Sequence, residues 1–248
     1  RDLLAEKDRV LLIGNGLIGC EFANDLASVG KQVNLVGLTA WPMDRLLPQA
    51  LGQRLQDSLS AIGVNWWLDN SVTSINFIDS NNTDAGYEVT LKSGDVLEAD
   101  VIVSAVGLQA RTKLAINNGI TCGVGIKTDS RLMTNIPHVY ALGDCVEFDG
   151  QLQPFIAPIY WGIQALSQTL TGVSTEVSYP QMTIVVKTPA CPITLLPPKQ
   201  QAGQWHLDAD EQGMVARFKN PAGQVCGFVL QGDRVDQRKQ LLEQTLHN

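Results

Sequence analysis

Val10-Leu11-Leu12-Ile13-Gly14-Asn15-Gly16-Leu17-Ile18-Gly19 decides how this chain folds. Its first four residues form a short, uninterrupted apolar run, the pattern of a strand buried on both faces in a parallel sheet. The rest reads glycine-x-glycine-x-x-glycine. The segment from Glu21 to Val29 predicts a helix with Phe22, Leu26 and Val29 on one face and Gly30 as its stop. Gln32-Val33-Asn34-Leu35-Val36 supplies a second strand. Such a glycine loop is weak evidence alone, but between a strand and a helix inside a βαβ unit it is a dinucleotide-binding fingerprint. Gly14 permits the tight turn, Gly16 lets a pyrophosphate approach the backbone, and Gly19 lets helix and strand pack closely. The helix N-terminus adds unpaired N–H groups and the positive end of its dipole.

An acidic residue that holds a ribose 2′-hydroxyl is expected after the second strand, but Gly37 stands there. No arginine follows in Leu38-Thr39-Ala40-Trp41 to hold a 2′-phosphate. NADH is therefore the expected coenzyme rather than NADPH. Residues 48–62 predict a helix with Leu51, Leu55, Leu59 and Ile62 apolar, and 64–68 a third strand whose Trp66 and Trp67 serve packing. Residues 72–78, 87–91 and 96–99 alternate around turns at Asn81-Asn82 and Lys92-Ser93-Gly94-Asp95, which predicts an antiparallel meander. Val101-Ile102-Val103 returns to the parallel sheet and ends at Ala105-Val106-Gly107.

The chain has 248 residues, 44% of them hydrophobic and 17% charged, enough for one large or several smaller cores. A net charge of −7 without any basic run argues against a nucleic-acid partner. No stretch reaches the ~20 apolar residues of a membrane-spanning helix. The charged opening, residues 1–9, has no apolar signal region. Cys20, Cys122, Cys145, Cys191 and Cys226 are odd in number and show no metal-ligand spacing, so no metal is expected. They read as buried free thiols in a reducing cytoplasm. Asn81-Asn82-Thr83 reads as an ordinary turn. Up to residue 175 there are 18 acidic and 11 basic residues, whereas from 176 onward there are 7 of each. That balanced tail reads as a separate unit.

Residues 134–145, Thr-Asn-Ile-Pro-His-Val-Tyr-Ala-Leu-Gly-Asp-Cys, supply a second motif. With the glycine loop in its extended form ending in Glu21, it resembles the pyridine nucleotide–disulfide oxidoreductases, flavoproteins with two dinucleotide-binding domains. Residues 16–26, Arg45-Leu46-Leu47-Pro48 and Val186-Lys187-Thr188-Pro189-Ala190-Cys191-Pro192 look most like the bacterial rubredoxin–NAD reductases. The resemblance implies an α/β fold: a Rossmann-like NAD domain with a β-meander (1–107), the returning part of an FAD domain (108–177), and a small α+β domain (178–248). It also implies NADH oxidation by FAD and single-electron delivery to rubredoxin, often in alkane hydroxylation. A ferredoxin acceptor serving an oxygenase and a non-catalytic dinucleotide-binding module are the competing readings. The family's N-terminal FAD segment has no counterpart here and the chain begins without methionine, so it reads as a fragment carrying half of the flavin site.

By this resemblance Gly14, Gly16 and Gly19 bind the NADH phosphates, and Glu21 places a carboxylate beside nicotinamide and flavin. A first-turn charge favoured by the helix dipole is the other reading of Glu21. Gly107, Gly143 and Asp144 belong to the flavin site, the aspartate on the ribityl chain. Pro158 is placed in the first turn of a helix running to Leu170, aimed at the flavin's pyrimidine edge, with Ile156 just before it. Lys187 closes the apolar run Met182–Val186 and faces the flavin; a solvated strand-end lysine is the alternative. His138 reads as structural. His206 and His247 do not sit in the histidine–glutamate pattern of disulfide-reducing members. The tail predicts strands at 204–207, 214–219 and 225–231 and a helix over 235–246. In relatives this domain forms the flavin's far wall and either a homodimer interface or the acceptor's docking face.

Overall fold

The computed structural model describes residues 6–78, 85–199 and 202–246. The turn and triplet at residues 81–83, and His247, lie outside them. The chain divides into two compact units, Arg1–Gly107 together with Met182–Asn248, and Leu108–Gln181.

In the first unit, β1 (Arg9–Ile13), α1 (Leu17–Ser28), β2 (Gln32–Val36), α2 (Gln49–Ala61) and β3 (Val64–Trp67) follow in order. A meander of β4 (Val72–Ile78), β5 (Gly86–Leu91) and β6 (Val96–Ala99) precedes β7 (Val101–Ser104). The parallel sheet runs β3-β2-β1-β7, with Val10 opposite Val33 on one side and Val101 on the other. Val10, Leu11 and Leu12 are all but inaccessible, as an apolar run between two covered faces requires.

The face that α1 buries is not the predicted one. Phe22 and Val29 are 46% and 70% exposed, while Gly19, Cys20, Ala23, Leu26 and Ala27 turn inward. A helix leaving a glycine loop sits so close to the sheet that small residues fit beneath it and large ones do not. In α2 the predicted spacing survives: Pro48 stands just ahead of it, and Leu51, Leu55 and Leu59 are fully buried.

The second unit contains α3 (Lys113–Asn117), β8 (Ile126–Lys127), β9 (Val146–Phe148), β10 (Gln151–Leu152) and α4 (Ile156–Leu170). Leu132, Ala141, Val146, Ala165 and Val177 form its core. The helix begins two residues before Pro158, so Ile156 is its first residue and Pro158 its third. Proline is tolerated there because first-turn N–H groups have no helical partner in any case.

The last segment returns to the first unit as β11 (Ile184–Val186), β12 (Ile193–Leu196), β13 (Gln204–Asp210), β14 (Gly213–Lys219) and β15 (Val225–Gly232). They form an antiparallel sheet ordered β11-β12-β15-β14-β13. The helix predicted from Val235 is split into a 3-10 turn, Asp233–Gln237, and α5 (Arg238–Leu246). The tail does not have a core entirely to itself. Val186, Ile193, Leu195, Ala216 and Val229 join Leu12, Leu35, Leu51 and Leu55 in one apolar cluster. Gln231, fully buried, donates from Nε2 to Leu51 O in α2 at 3.0 Å. Among the described residues no helix is long and apolar enough to cross a membrane.

Candidate functional site

Each glycine of the loop has its own steric reason. Gly14 has φ +115°, and a Cβ there would lie 2.4 Å from Ala105 O at the end of β7. A Cβ on Gly19 would lie 1.9 Å from Gly14 O, so α1 is pressed against the loop itself. Gly16 is different: a Cβ there would meet nothing within 4 Å. Its backbone borders open space, the room a phosphate would use. Gly14 N–H donates to Val36 O at 2.8 Å, which ties the loop to the end of β2. The first bond of α1 runs from Cys20 N–H to Gly16 O at 3.0 Å, and no side chain caps the helix. The amides of Leu17, Ile18 and Gly19 thus precede the helix's own hydrogen bonding, an arrangement suited to an anion.

A glycine follows β2 at position 37 for a reason that the sequence pattern does not carry. A Cβ there would fall 2.3 Å from Cγ of Asn15, and the three nearest atoms all belong to that side chain. Asn15 is 8% exposed, and its carboxamide donates from Nδ2 to Thr39 Oγ1 at 2.9 Å and to Trp41 O at 3.3 Å. Sequence reading passes over Asn15 because the fingerprint leaves that position free. The signal is the pairing of a polar residue between the first two glycines with a glycine at the end of the second strand.

Glu21 does not open its helix. It is the fifth residue of α1, beyond the first turn, which removes the reading of a simple N-terminal dipole charge. Its Oε1 accepts the backbone N–H of Lys187 at 2.8 Å. One turn further, Asn24 Oδ1 accepts the N–H of Ala190 at 3.1 Å. Two side chains of α1 therefore hold the loop between β11 and β12. Asn24, buried at 2%, is the member that sequence reading missed. The Lys187 side chain is exposed, and among the described residues it enters no ion pair.

Gly107, the last residue of the first unit's N-terminal segment, has φ +108°. In the second unit, Gly143 has φ +93° with open space where a Cβ would stand, and Asp144 beside it is exposed. The N-terminus of α4 has no side-chain cap, and its first residue, Ile156, is 72% exposed. Gly143, the exposed Asp144 carboxylate and the uncapped start of α4 are thus all open to solvent in this unit. His138 lies in a turn at φ +65°.

All five cysteines carry free thiols, but only Cys20 and Cys191 are buried and the others are intermediate. Burial, with the nearby charge of Glu21, pushes the Cys20 thiol well above its ordinary range. Burial also raises Cys191. Both are poor thiolates.

Comparisons with known proteins agree with this geometry. Residues 2–167 match the family model described as pyridine nucleotide-disulphide oxidoreductase, and residues 176–245 match a rubredoxin binding C-terminal domain. The chain is 41% identical over 235 residues to the rubredoxin-NAD(+) reductase of Acinetobacter baylyi, covering 94% of this chain and 59% of that protein. It is 41% identical over 237 residues to the nitric oxide reductase FlRd-NAD(+) reductase of Aeromonas hydrophila, covering 95% and 60%. The chain thus spans about three fifths of the length of these relatives. Among solved structures, a ferredoxin reductase from Rhodopseudomonas palustris matches with TM-score 0.80 at 23% identity over 96% of this chain and 60% of that one. An NAD-dependent persulfide reductase from A. fulgidus matches with TM-score 0.86 at 18% identity, over 99% and 50%. These two likenesses speak for the fold alone. With two thirds of its length matched by the family model, above a glycine loop of the required shape, the chain belongs to the pyridine nucleotide-disulphide oxidoreductase family.

Proposed function

We propose that the protein to which this chain belongs is an FAD-dependent NADH:rubredoxin reductase. The observation that carries this reading is the rubredoxin-binding match over residues 176–245, in a chain whose dinucleotide loop is intact. FAD, when bound, supplies the hydride-accepting and single-electron chemistry; the polypeptide positions and tunes it.

In this reading Gly14, Gly16 and Gly19 hold the NADH pyrophosphate on the amides that open α1. Glu21 keeps the loop carrying Lys187 in place and sets a carboxylate near the reacting rings. The Lys187 ammonium, free of any ion pair among the described residues, adds positive charge that favours reduced flavin. Gly107, Gly143 and Asp144 receive the flavin's ribityl region, Asp144 accepting from a hydroxyl. Ile156 and Pro158 open the helix whose positive end faces the pyrimidine edge. Residues 1–107 then act as the NAD domain and 108–177 as the returning part of the FAD domain. Residues 178–248 form the flavin wall and the rubredoxin-docking face. The absence of a cation in Leu38–Trp41 supports NADH over NADPH, and five free thiols support a reducing cytoplasm.

The test is NADH-driven reduction of purified rubredoxin and of a ferredoxin by the flavin-loaded, full-length protein. The bleaching of each acceptor's visible band gives its rate. Rubredoxin should show the higher kcat/KM. A ferredoxin reduced more efficiently would transfer the assignment to oxygenase-type electron supply, and failure with both would remove the reductase reading.

A further inference from the structure

We infer that Asn15 takes the place of the missing acidic residue, its Oδ1 accepting the 2′-hydroxyl of the adenosine ribose. The inference deepens the proposed function, since it rests on the reading that the glycine loop binds NADH. In dinucleotide-binding βαβ units that hydroxyl is held by a carboxylate at the end of the second strand. Here Gly37 follows the strand's last residue, and the Asn15 carboxamide stands where the side chain of residue 37 would begin, its Cγ 2.3 Å from a Cβ at that position. The two positions therefore exchange roles: the side chain comes from the loop and the space from the strand.

The neighbours of Asn15 fix which way its amide faces. Trp41 O and Thr39 O can only accept, so the group turned toward them, at 3.3 and 3.5 Å, is the nitrogen. Thr39 Oγ1 spends its own proton on Trp41 O at 3.1 Å and accepts from Asn15 Nδ2 at 2.9 Å. Oδ1 is thereby directed away from this cluster. Among the described residues every hydrogen bond of the Asn15 carboxamide runs from Nδ2 and none reaches Oδ1, which is not a buried atom without a partner and so keeps access to solvent. The backbone on either side is held as well, by Gly14 N–H on Val36 O and by Met43 N–H on Asn15 O at 2.9 Å. The acceptor is thus preorganised, and it is neutral. It accepts from a hydroxyl as a carboxylate does, offers no proton to a 2′-phosphate, and exerts no full-charge repulsion on one. Discrimination against NADPH should therefore be present but milder than a carboxylate gives.

The experiment is a calorimetric double-mutant cycle on the chain. The unaltered chain and Asn15→Ala are each titrated with NADH and with its analogue lacking the adenosine 2′-hydroxyl. In the unaltered chain, loss of the hydroxyl should weaken binding roughly five-fold, the worth of one neutral hydrogen bond. Asn15→Ala should weaken NADH by a similar factor and bind both nucleotides equally. Gly37→Asp alone should bind NADH poorly because of the collision with Asn15. Combined with Asn15→Ala it should bind NADH tightly and reject NADPH more strongly than the unaltered chain does. Equal binding of NADH and its deoxy analogue by the unaltered chain overturns the role of Asn15 while leaving the loop as the nucleotide site, and that arm needs no variant to fold. No binding of NADH or NADPH to the unaltered chain overturns the dinucleotide reading itself.

Discussion

The backbone of Lys187, and not its ammonium, is bonded to Glu21: the N–H donates to Oε1 at 2.8 Å. The two residues expected to act in catalysis are thus joined through a bond that any residue other than proline at position 187 would preserve. Lys187→Met should leave stability within about 0.5 kcal/mol of the unaltered chain, as for an exposed surface change. In the flavin-loaded protein it should lower the flavin midpoint potential and slow reduction by NADH. Chemical denaturation and redox titration check the two halves separately. An unchanged potential would return Lys187 to the role of a solvated strand-end charge.

The two acceptors on α1 should behave as one clamp. Glu21→Ala with Asn24→Ala frees the N–H groups of Lys187 and Ala190, which the single helix face now holds. Their amide exchange should accelerate roughly five- to ten-fold, corresponding to the ~1–1.5 kcal/mol of a side-chain hydrogen bond. Glu21→Gln, which keeps an acceptor oxygen, should restore most of the protection at Lys187. Exchange that stays slow in the double variant would mean that the loop is held by its packing.

Gly16 and Gly19 should separate binding from folding. Alanine at position 16 enters open space at an ordinary backbone geometry, φ −78° and ψ −170°, so stability should change by less than about 0.5 kcal/mol. NADH affinity should nevertheless fall roughly ten-fold, because the new methyl occupies the phosphate's approach. Alanine at position 19 would stand 1.9 Å from Gly14 O, and the backbone must move. It should destabilise the chain by roughly 1–3 kcal/mol, as overpacking does. Thermal melts with and without NADH distinguish the two; equal losses of stability would show that position 16 is closely packed in solution.

What the sequence discloses and what it hides follow from the range of the forces involved. Val10–Ile13, the three glycines and Leu51, Leu55 and Leu59 are legible because spacing along one element dictates their environment. The inward face of α1 is not, because the closeness set by Gly19 selects Cys20 and Ala23 over Phe22. Asn15 opposite Gly37 is hidden for a similar reason. The two meet across 22 residues of sequence, and neither type announces the other. The tail's even charge balance marks a separate sheet, yet Ile193 and Leu195 are apolar on a face that only the fold shows to be shared with α2.

Acid should find a weak point at Asp100. Burial raises its pKa, but bonds from the Arg9 side chain and the amides of Arg9 and Asp8 outweigh this and bring it to about 2 from 3.8. Arg9 Nη2 lies 2.7 Å from Oδ1, and the Arg9 amide 2.9 Å from Oδ2. A depressed carboxylate stabilises the folded chain above its unfolded pKa and loses that contribution as pH falls through the folded one. The loss should therefore fall between about pH 4 and pH 2, and amount to about 1–2 kcal/mol given partial solvent screening. Asp100→Asn should flatten the stability curve in that window and have little pH dependence of its own above pH 5. An unaltered acid limb in urea titrations would place the loss in other carboxylates.

The shared core predicts that the parallel sheet and the five-stranded antiparallel sheet of the first unit unfold together. Leu195 is fully buried in the five-stranded antiparallel sheet, and the cluster it joins includes Val33 and Leu35 of β2. Truncating it removes apolar contact from both layers, at a cost of roughly 2–5 kcal/mol for a buried leucine. If the layers were independent domains, Leu195→Ala would lower exchange protection only in β12, β15 and their neighbours. With one core, the amides of Val33 and Leu35 should lose as much protection as that of Val229, because each opens only when the common cluster does. The Gln231 bond to Leu51 O adds a polar link across the same boundary. Native-state exchange under mild urea reads both sheets in one experiment. A selective loss in the antiparallel sheet would show that the parallel sheet stands without it.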